Sequence, residues 1–382
     1  MMIFLAGALI IAVSASVVTI KTLFGYVSLK PVYKWLGAIF IVWGWFSPAI
    51  VASVFKAGGW AQIAASGVIF FSFFLFGLVF LIFVFLMARD FVWFSTYSIL
   101  KLFKRHNPKY HPKNPESYPL LNKTNAAMVL CALFVGFFSL YAGMKIPSVK
   151  KVELTTDKFA GEATFVQLSD LHLNRYYKTA RLEKIVNRVN AQHPDAVFLT
   201  GDILDDDFAH IKQFLPVLQN IQAPQGVYMV WGNHEFYKRL PAAIYDLAAH
   251  GMIVLQNDGL RLPAKYPVFV AGINSPWHKN LPDAFKKSVS GEYRILLSHY
   301  PIAFDEAAEY VDLQLSGHTH GGQIFPFHFM SKRVNKYLAG IYKKDGAVLY
   351  VSRGAGLWGP PLRFLAPSEI TRLTVRGTQS AD

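Results

Sequence analysis

Four long stretches without a charged residue constrain this chain most. They run over 3–20, 35–55, 63–87 and 126–144, and each is followed within two residues by Lys or Arg. A bilayer crossing needs about 17–25 apolar residues, and lipid offers no partner for unpaired backbone groups. Each stretch is therefore predicted to be a transmembrane helix. We expect an all-α, multi-pass transmembrane module of about four helices over residues 1–148.

The composition divides the chain at the same place. The whole chain is 53% hydrophobic with a net charge of +14, whereas soluble proteins average about 45–50% apolar residues. Residues 1–144 contain 11 Lys or Arg and two acids, which leaves +5 for residues 145–382. The region 149–382 is predicted to be a globular domain large enough to bury its own core. Without a nucleic-acid-binding motif, the basic charge favours anionic lipid as a partner over nucleic acid.

The distribution of Lys and Arg predicts how the chain is oriented in the membrane. The connections 21–34 and 89–124 contain ten such residues, whereas the N-terminus, 56–62 and the start of the globular domain contain five. Cytoplasmic loops are enriched in Lys and Arg. The two connections are therefore expected in the cytoplasm and the globular domain outside it, although Lys145 and its basic neighbours oppose this orientation.

The apolar stretches contain no acid or base, so the module is predicted to anchor the protein and not to transport ions. The aromatic segment 91–103 either lies along the membrane surface as an amphipathic helix or prolongs the third helix. Cys131 is the single cysteine and lies within an apolar stretch, which excludes an intrachain disulfide framework.

The remaining chain alternates between helix and strand patterns. Helices are predicted over 179–191 and 208–220, and another begins near Ala242 and ends at Gly251. Strands are predicted over 165–168, 196–200, 227–231, 252–255, 267–271, 293–298, 313–316, 347–351 and 369–375. This order predicts a layered α/β domain, with two sheets packed together.

Polar side chains follow five of the apolar strand patterns, at the point where each strand ends. They are Asp170, His172, Asp202, Asn233, His234, Glu235, His299, His318 and His320. Because open α/β sheets form their sites at the carboxyl ends of strands, we expect these side chains to share one rim. Carboxylate, amide and imidazole groups together form a ligand set suited to two divalent metal ions.

These residues resemble the sequence blocks of the calcineurin-like metallophosphoesterases. The blocks occur in order as Asp170-Leu171-His172, Gly201-Asp202-Ile203-Leu204-Asp205, Gly232-Asn233-His234-Glu235, His299 and Gly317-His318-Thr319-His320. Gly321-Gly322-Gln323 and the segment from Ser352-Arg353-Gly354 to Pro361 resemble the membrane-associated YkuE/YaeI branch. They are also similar to animal transmembrane proteins with a metallophosphoesterase domain. The resemblance covers about 155–375 and implies a four-layer αββα sandwich.

The resemblance also implies a dinuclear metal centre. It assigns Asp170, His172 and His320 to one ion, Asn233, His299 and His318 to the other, and Asp202 to both. The chemistry agrees, because two cations about 3.5–4 Å apart repel each other and need an anionic bridge. A bridging water would supply hydroxide near neutral pH. Mn²⁺, Fe and Zn²⁺ all accept such ligands.

His234 is beside a ligand in the sequence but is assigned to no metal. In the family this position faces the substrate and assists departure of the leaving group, as a general acid or a charge stabiliser. Asp205 would orient it through a hydrogen bond. Glu235 is interpreted as a local hydrogen-bond partner, and Asp206 and Asp207 as loop or cap residues.

The predicted function is that of a membrane-anchored, metal-dependent phosphoesterase. A metal-bridging hydroxide would hydrolyse a phosphomonoester, phosphodiester or pyrophosphate on a lipid or cell-envelope molecule. The alternatives are a UDP-2,3-diacylglucosamine-type pyrophosphatase on the cytoplasmic face, and a non-catalytic metal-bound scaffold or receptor. The apolar segments 325–330 and 356–362 either line a lipid-facing entrance or pack beside the site.

Overall fold

The chain forms two compact units. A computed structural model describes residues 2–54, 62–111, 113–237, 241–249, 251–263, 266–274 and 279–378. One unit comprises Met1–Tyr141 and Gly359–Leu362, and the other comprises Ala142–Trp358 and Arg363–Asp382. Residues 55–61, which include Lys56 of the charge count, lie outside the described residues.

Each of the four apolar stretches forms a helix. The helices are α1 (Met2–Phe24), α2 (Pro31–Val54), α3 (Gln62–Leu102) and α4 (Tyr118–Met144). Among the described residues, three spans are long and apolar enough to cross a membrane, namely Pro31–Val51, Gly67–Leu102 and Pro115–Met144. The apolar segment Leu9–Phe24 of α1 is shorter than these three spans. The multi-helix apolar segment is thus confirmed, with three candidate spans and not necessarily four.

The third helix is longer than its apolar stretch. Because α3 continues to Leu102, residues 91–102 prolong it, which is one of the two alternatives above. The helix passes through Arg89 and Asp90, whose side chains form an ion pair at 3.0 Å. Arg89 Nη2 also donates to Asn125 Oδ1 at 2.6 Å, and Asn125 Nδ2 donates to the carbonyl oxygen of Thr22 at 2.8 Å. These bonds join α1, α3 and α4 and satisfy polar groups that would otherwise be costly to bury.

Two six-stranded mixed sheets form the second unit, with the orders β1-β12-β2-β3-β4-β5 and β10-β11-β9-β8-β7-β6. The strands are β1 (Ser148–Thr156), β2 (Glu162–Leu168), β3 (Ala196–Thr200), β4 (Val227–Val230), β5 (Met252–Val254), β6 (Asp258–Arg261), β7 (Val268–Ile273), β8 (Tyr293–Ser298), β9 (Leu313–Ser316), β10 (Gly340–Lys344), β11 (Ala347–Val351) and β12 (Glu369–Gly377). Strands β2, β3 and β4 are mutually parallel, as are β7, β8 and β9. Their carboxyl ends therefore meet at one edge of each sheet.

The strand side chains alternate between two faces and so build separate apolar layers. Phe165 and Phe198 of the first sheet pack with Ile295 of the second between the sheets. Val166 and Leu199 face the opposite way and pack against the helices that cover this face of the first sheet. A third cluster joins the outer face of the second sheet to other helices. The predicted αββα metallophosphoesterase sandwich is confirmed.

The helices of this unit are short apart from the first. They are α5 (Thr179–Asn190), α6 (Phe208–Ile211), α7 (Leu215–Leu218), α8 (Asn233–Tyr237), α9 (Pro241–Ala249), α10 (Leu281–Phe285), α11 (Phe304–Ala307) and α12 (Phe327–Asn335). The single helix predicted over 208–220 is wrong, because a 3₁₀ turn at Lys212–Phe214 separates α6 from α7. Pro216 lies in the first turn of α7, where its missing N–H is tolerated.

Strand β1 lies in a basic segment for which no strand was predicted. β1 pairs in parallel with β12, from Ser148 opposite Glu369 to Thr156 opposite Gly377. Lys150 and Lys151 are exposed on this strand at the edge of the sheet. Lysines on an edge strand discourage pairing with other chains, so the basic residues are compatible with a strand.

Candidate metal centre

The site forms where the parallel strands of both sheets end. Asp170 lies two residues beyond β2, Asp202 two beyond β3 and Asn233 three beyond β4. His299 directly follows β8, and His318 follows β9 by two residues. The two sheet edges converge, because Asp170 Oδ1 accepts the backbone N–H of His318 at 3.0 Å. The predicted shared rim is therefore present in the structure.

Five of the predicted ligand residues have left-handed backbone conformations. They are Asp170 (φ 54), His172 (φ 50), Asp202 (φ 53), His318 (φ 71) and His320 (φ 50). Such conformations cost free energy for residues other than glycine and concentrate at functional sites. The turns that place these side chains in the site therefore persist although their backbone conformations cost free energy.

Asp170, His172 and His320 form the first ligand cluster. All three are buried, and their ligand atoms lie within 4.8 Å of one another. His172 Nε2 lies 3.0 Å from His320 Nε2, and His320 Nε2 lies 3.6 Å from Asp170 Oδ1. Burial lowers the pKa of His320 well below its usual value. Its imidazole is therefore neutral, which is the form that binds a metal ion.

Asn233, His299 and His318 form the second cluster. Asn233 Oδ1 lies 3.1 Å from His299 Nε2 and 3.0 Å from His318 Nδ1. Burial lowers the pKa of His318 to about 3. Burial also lowers the pKa of His299, but the adjacent Asp202 carboxylate outweighs it and raises that pKa to about 9. A proton held in this way is one that a divalent cation displaces on binding.

Asp202 lies between the two clusters. Its Oδ2 is 3.2 Å from His299 Nε2 and 3.8 Å from His172 Nε2. Burial raises the pKa of Asp202, but the surrounding imidazoles outweigh burial and hold it well below the usual range. Asp202 is therefore an anion that faces ligands of both clusters. Together the donors form a hard, mixed oxygen and nitrogen set that fits divalent cations.

Glycine is required where the loops approach each other most closely. A Cβ on Gly232 would lie 2.0 Å from Asp202 Oδ1, and a Cβ on Gly201 would lie 2.7 Å from His299 Nδ1. Gly201 also has a φ of +86°. Any larger residue at either position would displace a predicted ligand.

The comparisons with known proteins agree with this geometry. The profile described as calcineurin-like phosphoesterase matches residues 163–322, which contain both clusters. A Helicobacter pylori protein named uncharacterized metallophosphoesterase is 35% identical over 298 residues, which cover 76% of this chain and 78% of that protein. The chain belongs to the calcineurin-like metallophosphoesterases. The Bacillus subtilis metallophosphoesterase YkuE is 35% identical over 56% of this chain and 79% of its own length. A Danio rerio transmembrane protein with a metallophosphoesterase domain is 28% identical over 66% of this chain and 63% of its own length.

In this metallophosphoesterase, Asp205 contacts two histidines. Its Oδ1 lies 2.5 Å from His234 Nδ1, the contact that the resemblance implied. Its Oδ2 lies 3.1 Å from Nδ1 of His172, which was not anticipated. Burial raises the pKa of Asp205, but hydrogen bonds from both imidazoles outweigh it and lower the pKa to about 2. Asp205 therefore orients a predicted metal ligand as well as His234.

Glu235 joins two of the loops. Its carboxylate is fully buried and accepts four backbone N–H groups, from Asp202 (3.0 Å), Ile203 (2.6 Å), Leu204 (2.8 Å) and Gly232 (2.8 Å). The loop after β3 and the loop after β4 are thus held together by one side chain. This agrees with the interpretation of Glu235 as a hydrogen-bond partner and extends it from a local role to a contact between loops.

Replacing Glu235 with Gln is expected to destabilise this unit. The amide nitrogen would face backbone N–H donors, which leaves buried donors unsatisfied at a cost of about 2–3 kcal/mol. The midpoint of thermal unfolding should fall by roughly 5–10 °C. The matched variant Glu306→Gln changes an exposed carboxylate that pairs with Lys279 and should leave the midpoint nearly unchanged. Equal midpoints for the two variants would contradict the assigned role.

Arg363 is a site-supporting residue that the sequence analysis missed. It is 1% exposed, and its guanidinium donates to carbonyl oxygens of Gly356 at 2.7 Å, Arg353 at 2.8 Å and Ala366 at 3.0 Å. It also reaches the carbonyl oxygen of His320 at 3.3 Å. The backbone at Arg353, Gly356 and Ala366 is thus fastened to the turn that carries a predicted ligand. The sequence offers no signal of this role beyond an arginine after a segment rich in glycine and proline.

A further group of acidic side chains, outside the two ligand clusters, has a structural explanation. Asp206, Asp207 and His210 lie close enough to hold an ion, but Asp206 accepts two bonds from the Arg175 guanidinium, each 2.7 Å long. Asp207 stands at the N-cap position of α6 and makes no capping bond with its side chain. The interpretation of Asp206 and Asp207 as loop or cap residues agrees with these contacts.

Proposed function

We propose that this protein is a membrane-anchored phosphoesterase that uses two divalent metal ions, Mn²⁺, Fe or Zn²⁺. It hydrolyses a phosphomonoester, phosphodiester or pyrophosphate on a lipid or cell-envelope molecule. The proposal is carried by the position of the Asp202 carboxylate, which lies within 4 Å of imidazoles from both clusters. The residues 1–148 act as the membrane module and 149–382 as the catalytic domain.

The site residues divide into three roles in this proposal. Asp170, His172 and His320 would hold one ion, Asn233, His299 and His318 would hold the other, and Asp202 would be shared by both. When bound, the ions supply Lewis acidity towards the phosphoryl oxygens and hydroxide at neutral pH. Asp205 holds the imidazoles of His172 and His234 in their orientations.

His234 delivers a proton to the departing oxygen. With Nδ1 bonded to Asp205, Nε2 is the atom left to face the substrate, and it lies 4.0 Å from Asp202 Oδ2. The side chain is 16% exposed, so the substrate can reach it while bulk water is largely excluded. An acid placed in this way contributes about 10²–10⁴-fold to the rate.

Incubation of the purified protein with extracted membrane lipids and nucleotide-linked lipids tests the substrate proposal. We expect new phosphorus-containing products that appear with Mn²⁺ and disappear with a chelator. Preparations of the Asp202→Asn variant serve as the control. Metal binding without turnover of lipid or chromogenic phosphodiesters would contradict the phosphoesterase proposal and favour a scaffold.

The charge bias further leads us to propose that the catalytic domain lies outside the cytoplasm. A protease added to intact cells, with any outer membrane permeabilised, should then digest residues 150–382 within the time in which a periplasmic marker is cut. A cytoplasmic marker protein must stay intact in the same sample. Protection of the whole domain would reverse the orientation and favour a substrate made in the cytoplasm.

A further inference from the structure

Two exposed aromatic rings stand beside His234. The ring centroid of Tyr237 lies 6.2 Å from that of His234, and the ring of Trp358 lies 6.4 Å away at an interplanar angle of 79°. Tyr237 is 68% exposed and Trp358 is 51% exposed. Burial in the core therefore does not explain why these rings stand next to the leaving-group side of the site. Exposed apolar surface at such a position marks a ligand contact.

Trp358 is held in place through its backbone. Its N–H donates to Gln323 Oε1 at 3.1 Å, and its carbonyl oxygen accepts from Gln323 Nε2 at 2.8 Å. Gln323 is 8% exposed and lies three residues after His320. Because both ends of the amide bind Trp358, its backbone is fixed relative to the turn that carries a predicted metal ligand. A fixed backbone lowers the entropy cost of ordering when a ligand packs against the side chain.

The apolar surface continues from Gln323 towards α12. Phe325 packs against Phe329 with ring centroids 5.6 Å apart. Phe329 is 70% exposed and Leu365 is 66% exposed, and the carbonyl oxygen of Leu365 lies 3.4 Å from His328 Nε2. Residues 324–336 contain no acid. Exposed apolar side chains on the segment that leads from Gln323 into α12 suit a hydrocarbon chain better than a small polar leaving group.

We propose that Trp358 and Tyr237 receive the apolar part of the leaving group, which makes the substrate a phosphoester of an amphiphilic, long-chain alcohol. Trp358 is the specificity-determining residue, and Gln323 positions it. The inference rests on the proposed function, since it takes His234 as the residue at the leaving oxygen. A nucleoside also offers a face on which an aromatic ring can stack, and the continuation of the surface to Phe329 favours the chain.

Three methyl phosphodiesters with different leaving alcohols test the inference on the full-length, metal-loaded protein. The alcohols are butanol, dodecanol and the 5′-hydroxyl of thymidine, all supplied below the micellar concentration. Butanol and dodecanol have closely similar acidity, so a difference in kcat/KM between their esters reports apolar contact. We expect the wild-type protein to prefer the dodecyl ester over both others.

Trp358→Ala should lower the ratio of kcat/KM for the dodecyl ester to that for the butyl ester about ten-fold, mainly by raising KM. A ten-fold change corresponds to about 1.4 kcal/mol, or the burial of about two methylene groups. Tyr237→Ala should lower the ratio less, and Trp358→Phe should retain most of it. The matched variant Ile341→Ala removes an apolar side chain that is 49% exposed on edge strand β10. It should keep the wild-type ratio.

The possible failures are distinguishable. If Trp358→Ala kept its metal content and the wild-type ratio of kcat/KM for the dodecyl and butyl esters, the inference would be overturned. The phosphoesterase proposal would still stand. A wild-type preference for the butyl or thymidine ester would do the same. The absence of metal-dependent turnover of all three esters would overturn the proposed function, and the inference with it.

Discussion

Asp202→Asn is expected to lose both metal ions on dialysis and nearly all hydrolytic activity. The substitution removes a carboxylate that lies 3.2 Å from His299 of one cluster and 3.8 Å from His172 of the other. A neutral amide does not offset the repulsion between two cations. Loss of a residue that only orients a ligand costs about 10–100-fold in metal affinity or activity. A shared ligand should therefore cost more than about 100-fold.

Metal stoichiometry and turnover should be measured on the same preparation. Asp258→Asn is the matched control, because it makes the same chemical change at a 49%-exposed carboxylate that pairs with Lys287. The control should retain metal and activity at wild-type values. If Asp202→Asn kept two tightly bound ions and normal turnover, the bridging assignment would be wrong.

His234→Ala is expected to keep the metal ions while hydrolysis slows by about 10²–10⁴-fold for esters of simple alcohols. The imidazole touches Asp205 through Nδ1, which leaves Nε2 to act on the leaving group in the proposed mechanism. An alkoxide needs a proton as it leaves, whereas a nitrophenolate leaves without much assistance. The rate loss should therefore be much smaller with a nitrophenyl ester.

Both substrates and the metal content must be compared on one set of variants. Asp205→Asn should combine two effects, because Asp205 also lies 3.1 Å from His172 Nδ1. It should slow hydrolysis and weaken metal binding together. His210→Ala changes a histidine in the neighbouring cluster and should resemble the wild type. Equal losses for good and poor leaving groups in His234→Ala would remove the general-acid role, and loss of a metal would show that His234 is itself a ligand.

The core of the site was predictable because its signals are local. Each ligand follows an apolar strand of four to seven residues, and parallel strands bring their carboxyl ends to one edge. The order of the blocks then identified the family without knowledge of the sheet order. The convergence of the strand ends at one rim was expected from the general placement of sites in α/β sheets. Its physical basis, such as the bond from His318 N–H to Asp170, joins residues far apart in the sequence.

The supporting contacts were less predictable, because they depend on the folded geometry. The second contact of Asp205, with His172, requires the loops after β2 and β3 to lie side by side. Arg363 acts only after the chain returns from β11 towards the site. Strand β1 was missed for a related reason, because its partner β12 is at the far end of the chain. Local patterns contain little information about such pairings.

The N-terminal apolar segment was predictable in its helices but not in their lengths. Charge-free stretches located α1 to α4, since lipid permits only helices in such segments. The continuation of α3 beyond Arg89 depends on partners in other helices. Asn125 of α4 accepts a hydrogen bond from the Arg89 guanidinium, which allows a charged residue to lie between α3 and α4. The length of a charge-free run therefore underestimates the length of a helix wherever a charged side chain has a buried partner.

Titration of chelator-treated protein with Mn²⁺ tests the central claim most directly. Bound ions per chain and turnover of a chromogenic phosphodiester are followed together in the wild type and in Asp202→Asn. The proposed two-metal phosphoesterase predicts that the wild type binds two ions, that turnover rises with the second ion, and that the variant shows neither. Full turnover without metal, saturation at one ion with full turnover, or two bound ions without turnover would contradict it.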